Sequence, residues 1–171
     1  MSGAKQDESY RLAVAEHGAA LGRLVRAYEA DPELRRDLLQ DIHVGLWRSF
    51  AGFNGQCSMR TWVYRVAHNI ASSHVLRRKR AAKQVSLDVL EELPDGGNLE
   101  ESTGEKQNLA ALMAMIRTLK QPDRQVILLY LEDLDAAAIS DIVGLKPGAV
   151  ATKIHRIKAV LARRFQEGVA S

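Results

Sequence analysis

Trp62, Arg65 and Asn69 fall on one side of the stretch 59–83, with Ser73 and Leu76 along the same line and Arg60 beside them. An aromatic ring stacks on any base, an amide reads a base edge, and a guanidinium pairs with phosphate. Together they suit an unstacked or extruded nucleotide. Asn54, in the loop Asn54-Gly55-Gln56, stands next to this set, and the run Arg77-Arg78-Lys79-Arg80 lies just beyond, where it can follow a phosphate backbone. Taken alone, a charge run also fits a solvated face, and Trp62 also fits a core position. A second set sits near the C-terminus. Thr152, Lys153 and Arg156 offer a hydroxyl and two cations suited to base edges or phosphates of a duplex, and Lys146 and Lys158 suit phosphate contacts.

Metal and covalent chemistry find little support. The histidines His17, His43, His68, His74 and His155 show no i,i+4 pairing with a carboxylate partner, and His68 and His74 point to different sides of one helix. Cys57 is the only cysteine and has no evident base nearby, which excludes an intrachain disulfide framework and any Cys-based zinc site. No cofactor, small-molecule substrate or catalysis is expected.

The elements that must carry these residues are helical. Residues 10–29 read as a helix, with Leu12, Ala15, Ala19, Leu21, Leu24 and Val25 near one side. Asp31-Pro32 is a start signal, an acidic N-cap followed by proline at the first helical position, for a helix to about Phe50. In that helix Leu38, Ile42, Gly45 and Leu46 make the core side. Asp37, Gln40, Asp41, Val44, Trp47 and Arg48 occupy the other. An outward Trp beside Val and carboxylates suits a partner's surface, although Trp47 also fits beneath a neighbouring helix. Two glycines in 51–58 mark a loop, and a long helix runs from about Met59 to Lys83 with Val63, Ala67 and Ile70 as its seam. Further helices are expected near 109–119, 122–133, 136–143 and 147–165. The last pair, joined by Gly144-Leu145-Lys146 and opened by Pro147, reads as a helix-turn-helix. Val150, Ile154, Ile157 and Leu161 fall within an arc of about 60° and form its buried seam, while Thr152, His155, Arg156 and Arg163 face away.

The net charge of +3 conceals a sharp pattern. Residues 59–83 hold seven basic side chains and no acidic ones, whereas 84–108 hold seven acidic side chains and only Lys106 as a base. Such patterning speaks to partners, here nucleic acid for the basic helix. The acidic stretch, with Pro94-Asp95-Gly96-Gly97, reads as a flexible linker that masks its basic neighbours. The expected organisation is therefore all-α, with domains at 1–83 and 109–171 joined by a linker at 84–108. A composition 46% hydrophobic and 26% charged argues against global disorder. No apolar run approaches the roughly 20 residues of a membrane span, and the polar start Met1–Tyr10 is no secretory signal. No membrane insertion and a cytoplasmic location are expected.

Taken together, Asp37-Leu38-Leu39-Gln40-Asp41, Trp47-Arg48, Phe53-Asn54-Gly55 and Arg60-Thr61-Trp62-Val63-Tyr64-Arg65-Val66-Ala67-His68-Asn69 resemble a bacterial sigma factor of the small, extracytoplasmic-function type. Gly148-Ala149-Val150-Ala151-Thr152-Lys153-Ile154-His155-Arg156 resembles that family's recognition helix. The resemblance implies two partners, core RNA polymerase and promoter DNA, and commonly an anti-sigma protein as a third. It implies that Asp37, Gln40, Asp41, Val44 and Trp47 dock on polymerase. Asn54, Arg60, Trp62, Arg65, Asn69, Arg77, Arg78 and Arg80 would open the minus-ten element, and Lys146, Thr152, Lys153, Arg156 and Lys158 would read the minus-thirty-five duplex. The sequence departs from the family pattern at Ala137-Ala138, at Ser73 and at Ala151, where acidic, Asp and basic residues are frequent. A conventional dimeric helix-turn-helix regulator is the alternative. It accounts for the last helix but leaves the basic helix and its Trp/Asn face unused.

Overall fold

Asp31 caps the second helix as its type and place demand: its Oδ1 accepts the N–H groups of Glu33 and Leu34, and Pro32 follows at the first turn. The computed structural model describes the backbone of residues 2–85 and 104–170, and side chains over 3–82 and 104–168. Seven α-helices and one short 3-10 turn make up these residues, with no strand among them. They are α1 (Ser2–Tyr28), α2 (Pro32–Ser49), the 3-10 turn (Phe50–Gly52), α3 (Met59–Val85), α4 (Gly104–Arg117), α5 (Asp123–Leu131), α6 (Ala136–Val143) and α7 (Pro147–Ala170).

Three boundaries differ from expectation by more than a turn, the simplest being α7, which runs to Ala170 rather than 165. α1 begins at Ser2 rather than near residue 10, because its polar first turns find partners on α2. Gln6 donates to the Trp47 carbonyl at 2.7 Å, and the Tyr10 hydroxyl lies 2.9 Å from Nδ1 of His43. A helix held by such polar contacts carries no apolar stripe to announce it. α4 starts at Gly104, so 104–108 are helical and not linker; the remainder of the expected linker, 86–103, and its masking role lie outside the described residues.

The α1 seam is also rotated from the expected one. Ala13, Ala20, Leu21, Leu24, Val25 and Ala27 are buried, whereas Leu12 is 58% exposed and Ala15 and Ala19 face solvent. Leu38, Ile42 and Leu46 of α2 are wholly buried against Val63, Ala67 and Ala71 of α3. At Gly45 of α2 the tip of the Ile70 side chain fills the space of a Cβ, which would fall 2.2 Å from Cδ1 of Ile70, so a side chain there would make Ile70 turn aside. Leu24, Tyr28 and Leu38 share one apolar cluster with Ile116, Ile127, Leu128, Ile157 and Leu161. A second cluster joins Ala20 and Tyr64 to Val126, Leu129, Ile139, Ile142 and Val150. Buried Arg124 ties off α4 by donating to the carbonyls of Arg117 and Leu119, and its guanidinium lies 5.2 Å from the centre of the Tyr28 ring.

In the helix-turn-helix, Asp135 caps α6 by accepting the Ala138 N–H at 2.8 Å. Gly144 ends the helix in the left-handed region at φ 78°, its N–H bonded to the Ser140 carbonyl at 2.9 Å. An added Cβ there meets nothing within 4 Å, so the cost of a side chain is backbone strain alone. Gly144→Ala is expected to lower stability by about 1–2 kcal/mol, read as an earlier denaturation midpoint with no change in helix content.

Candidate nucleic-acid and protein-docking surfaces

The outward side of α2 is a largely exposed surface with one fixed aromatic. Asp37, Gln40, Asp41, Val44, Trp47 and Arg48 are all exposed, Val44 by 43% and Trp47 by 41%. Trp47 does not pack beneath a neighbouring helix. Its indole N–H donates to Asp7 at 2.8 Å, which orients the ring while leaving much of it in solvent.

The same side opens into a groove of about 620 Å³ between α2 and α3. One wall carries Gln40, Asp41, Val44 and Arg48, and the other carries Asn69, Ser73 and Arg77. The structure thus brings Gln40, Asp41 and Val44 of the expected docking set, and Asn69 and Arg77 of the expected strand-handling set, to two walls of one channel, while Asp37 and Trp47 lie outside it. Sequence spacing placed them only on separate helices.

The loop ahead of α3 is built by its own side chains. Gln56 accepts the Asn54 N–H at 2.7 Å and donates to the Gly52 carbonyl at 2.8 Å, and Gly55 takes φ 78°. The Ser58 hydroxyl accepts the Thr61 N–H at 3.1 Å and so caps α3. Asn54, Arg60, Asn69, Arg77 and Arg80 are exposed, and Cys57 is half-buried. Trp62 belongs to the support of this loop. Its N–H donates to the Ser49 hydroxyl at 2.9 Å, and its ring lies 5.0 Å from that of Phe53, which meets Phe50 edge-on.

Two arginines expected along a DNA path have protein partners. Arg78 donates through Nη1 to both carboxylate oxygens of buried Glu29, at 2.6 and 2.7 Å. A carboxylate 1% exposed thus holds the guanidinium in place, while the Arg78 side chain remains 46% exposed beside the rest of the basic run. His74 Nε2 lies 2.9 Å from Glu29 Oε2, and the Asp31 N–H also donates to Glu29. Burial opposes the charge on Glu29, but His74, the Asp31 amide and Arg78 together hold its carboxyl below the usual range. Arg65 reaches the carbonyl oxygen of Asp141 at the end of α6, through Nε at 3.0 Å and through Nη2.

On α7 the expected seam is in place: Val150, Ile157 and Leu161 are buried, and Ile154 is half-buried. Lys146, His155 and Arg156 are exposed. Thr152 is exposed but returns its hydroxyl to the Gly148 carbonyl at 3.0 Å, leaving only acceptor capacity for a ligand. Lys153 is held by Asp123 at 2.8 Å, and Lys158 lies over the Tyr130 ring and 3.2 Å from its hydroxyl. These tethers have no local sequence signal, since their partners lie 28 and 30 residues away.

His68 and His17, unlike His74, make no hydrogen bond to a carboxylate and serve packing. His68 accepts from or donates to the Tyr28 hydroxyl at 2.8 Å, and burial drives its pKa down to about 3, so it is neutral at physiological pH. His17 meets the Tyr64 ring edge-on, and burial lowers its pKa too. Among the described residues no three His, Cys, Asp or Glu side chains gather as a metal site.

Comparison with known proteins converges on one family. Sigma-70 region 2 matches residues 13–81, and Sigma-70, region 4 matches residues 109–161. The ECF RNA polymerase sigma-E factor of Escherichia coli (strain K12) is 24% identical over 168 residues, covering 93% of this chain and 87% of that protein. The ECF RNA polymerase sigma factor SigW of Bacillus subtilis (strain 168) is 23% identical over 141 residues, covering 77% and 75%. In three dimensions the chain is similar to CnrH, solved in complex with the cytosolic domain of CnrY, with a TM-score of 0.68, 22% identity, and coverage of 97% and 93%. With both regions present in order, and relatives matched along most of their length, the chain belongs to the sigma-70 family as an extracytoplasmic-function factor that directs transcription initiation by RNA polymerase.

Proposed function

We propose that the α2 face bearing Asp37, Gln40, Asp41, Val44 and Trp47 docks on core RNA polymerase. The loop at Asn54 and the groove wall of Asn69 and Arg77, with Arg60, Arg65 and Arg80 beside them, then hold the unpaired minus-ten strand. Trp62 contributes by bracing that loop. The α7 face reads the minus-thirty-five duplex, with Arg156 toward base edges and Lys146 toward phosphate. The units are residues 1–83 for polymerase and the minus-ten element, and 109–171 for the minus-thirty-five element. The factor performs no chemistry of its own and uses no cofactor. Its third partner is an anti-sigma protein, a reading supported by CnrH having been solved with the cytosolic domain of CnrY. No described helix is long and apolar enough to cross a membrane, and action in the cytoplasm follows from partnership with polymerase.

The observation that carries this reading is the single groove whose walls combine the docking face with exposed Asn69 and Arg77. Opening one base costs a few kcal/mol, and stacking or hydrogen bonding returns only about 1–3 kcal/mol. Melting therefore requires polymerase as a second source of binding energy, and a shared groove joins the two events. The test is run-off transcription with core polymerase on candidate promoters. Arg156→Ala is expected to cost about 1–3 kcal/mol of promoter discrimination, roughly tenfold to a hundredfold in activity at limiting holoenzyme, while binding to core polymerase is unchanged. Equal transcription by the variant from every promoter would remove Arg156 from base reading. Co-purification with core polymerase separates this function from that of a dimeric helix-turn-helix regulator.

A further inference from the structure

The packing of His68 uses only one of its two ring nitrogens. Nδ1 lies 2.8 Å from the Tyr28 hydroxyl, whereas Nε2, also buried, has no hydrogen-bond partner among the described residues. The neighbouring bonds decide which nitrogen carries the proton. Gln121 donates to the Tyr28 oxygen at 2.7 Å and to the Ser72 hydroxyl at 3.1 Å. The Tyr28 hydroxyl is thereby an acceptor with one proton left to give, and Nδ1 is the atom within reach. His68 is neutral, its pKa driven down to about 3 by burial, and a neutral imidazole has one N–H. That N–H is then at Nε2, a buried donor that no described residue receives. Native structures rarely leave such a group unmet, because an unpaired buried donor is costly.

His68 lines a cavity of about 230 Å³ bounded by α1, α3, α4 and α5. Leu24, Leu112, Met113, Leu128 and Leu129 give it an apolar wall. Leu109, 50% exposed, and Arg23 mark the side that reaches solvent. Size and charge narrow what fits. An apolar cavity of about 150 Å³ takes up benzene, and drug-sized ligands occupy about 300 Å³ or more. The space therefore suits a single ring or a short chain. Arg23 and Glu132, at the same cavity, satisfy each other through two bonds of 2.6 and 2.7 Å. Burial, with Glu132 adding to it, pushes the Tyr64 hydroxyl up to about 12, so that group is neutral too. A charged ligand would lose its hydration and meet no free counter-charge. Water is a poor occupant as well, since it needs about two to four polar partners and leucine and methionine dominate the wall.

We propose that this cavity is a binding site for a small, neutral, mostly apolar molecule carrying one hydrogen-bond acceptor, such as a ketone or ester oxygen, which takes the Nε2–H of His68. The apolar wall supplies affinity, and the single buried donor selects among ligands of similar shape. The site uses no residue assigned to polymerase docking or promoter reading. Its test needs neither polymerase nor DNA, and its failure would leave those assignments standing.

The probes are acetophenone, which carries a carbonyl acceptor, and isopropylbenzene, which has nearly the same shape and no acceptor. Each is titrated into the full chain carrying isotope-labelled methionine methyl groups and histidine nitrogens, and binding is followed by magnetic resonance. The Met113 methyl signal, assigned with Met113→Leu, should shift saturably with either probe. The nitrogen spectrum should show the His68 proton on Nε2, and that signal should respond more strongly to acetophenone. His68→Phe keeps a ring and removes the donor. In that variant the affinity for acetophenone relative to isopropylbenzene should fall about tenfold, the size of one buried hydrogen bond. Leu109→Trp, at the exposed rim, should obstruct the cavity and weaken both probes by about fivefold or more, with circular dichroism unchanged. If His68→Phe unfolds, the nitrogen spectrum and Leu109→Trp decide alone. A Met113 signal that neither probe moves, as when solvent alone meets the donor, would overturn the site. So would a His68 proton on Nδ1, an unchanged affinity ratio in folded His68→Phe, or undiminished binding by Leu109→Trp.

Discussion

Trp47→Ala is expected to weaken binding to core RNA polymerase by at least thirtyfold while leaving the fold intact. The size follows from the position. Trp47 is a large aromatic 41% exposed beside Val44 at 43%, rimmed by Asp37, Gln40, Asp41 and Arg48, which is the composition of an interface centre with a polar edge. Truncating such an anchor typically costs about 2–4 kcal/mol of binding. Stability should change little, because α2 is held by Leu38, Ile42 and Leu46, all wholly buried on the opposite side. The fold loses only the bond from the indole N–H to Asp7, an exposed pair; the bond from Gln6 to the Trp47 carbonyl needs no side chain and survives. Trp47→Phe sharpens the result. It keeps an apolar ring and drops the N–H, so intermediate affinity is expected if the ring fills a pocket on polymerase. Equilibrium titration of labelled factor with core enzyme measures both, and a denaturation curve checks the fold. Undiminished affinity of Trp47→Ala would remove α2 from the polymerase contact.

Local features were legible in the sequence because their causes are local. The Asp31-Pro32 cap, the Gly144 turn and the Val150–Leu161 seam each follow from residue types at fixed offsets, and each stands where those offsets put it. The first turns of α1 were illegible because polar contacts to α2 replace an apolar stripe. The fates of Trp62, Arg78, Lys153 and Lys158 were illegible for a related reason. A cation in a basic run looks alike whether it faces water, phosphate or a buried carboxylate. Only tertiary structure shows that Arg78 meets Glu29, 49 residues away, or that Lys153 meets Asp123. The groove shared by α2 and α3 belongs to the same class, because it is made by the packing of two helices whose lining residues lie more than 20 positions apart, which no local spacing encodes.

Glu29→Gln should give the largest loss of stability of any single polar substitution in the N-terminal helices. Glu29 closes α1, is 1% exposed, and gathers Arg78, His74 and the Asp31 N–H around one carboxylate. It thereby fixes the end of α1, the start of α2 and the basic third turn from the end of α3 to one another. Its glutamine replacement keeps the volume but removes the charge from a buried, multiply bonded site, a class of change that costs about 3–5 kcal/mol. The pH dependence supplies an independent sign. Since the folded carboxyl sits below its unfolded value, the unfolded chain takes up protons first on acidification. The contribution of Glu29 is therefore fully present above the ordinary glutamate range near about 4.3, and is lost as pH falls through the lower folded value. Denaturant titrations of wild type and Glu29→Gln between neutral pH and pH 3 should converge toward acid, the difference between them shrinking below about pH 4. A constant difference across that range would mean that the ion pair with Arg78 is not the source of the stability. Because Arg78 is released in the variant, non-specific DNA binding by the basic helix should rise as stability falls, which a purely structural loss would not produce.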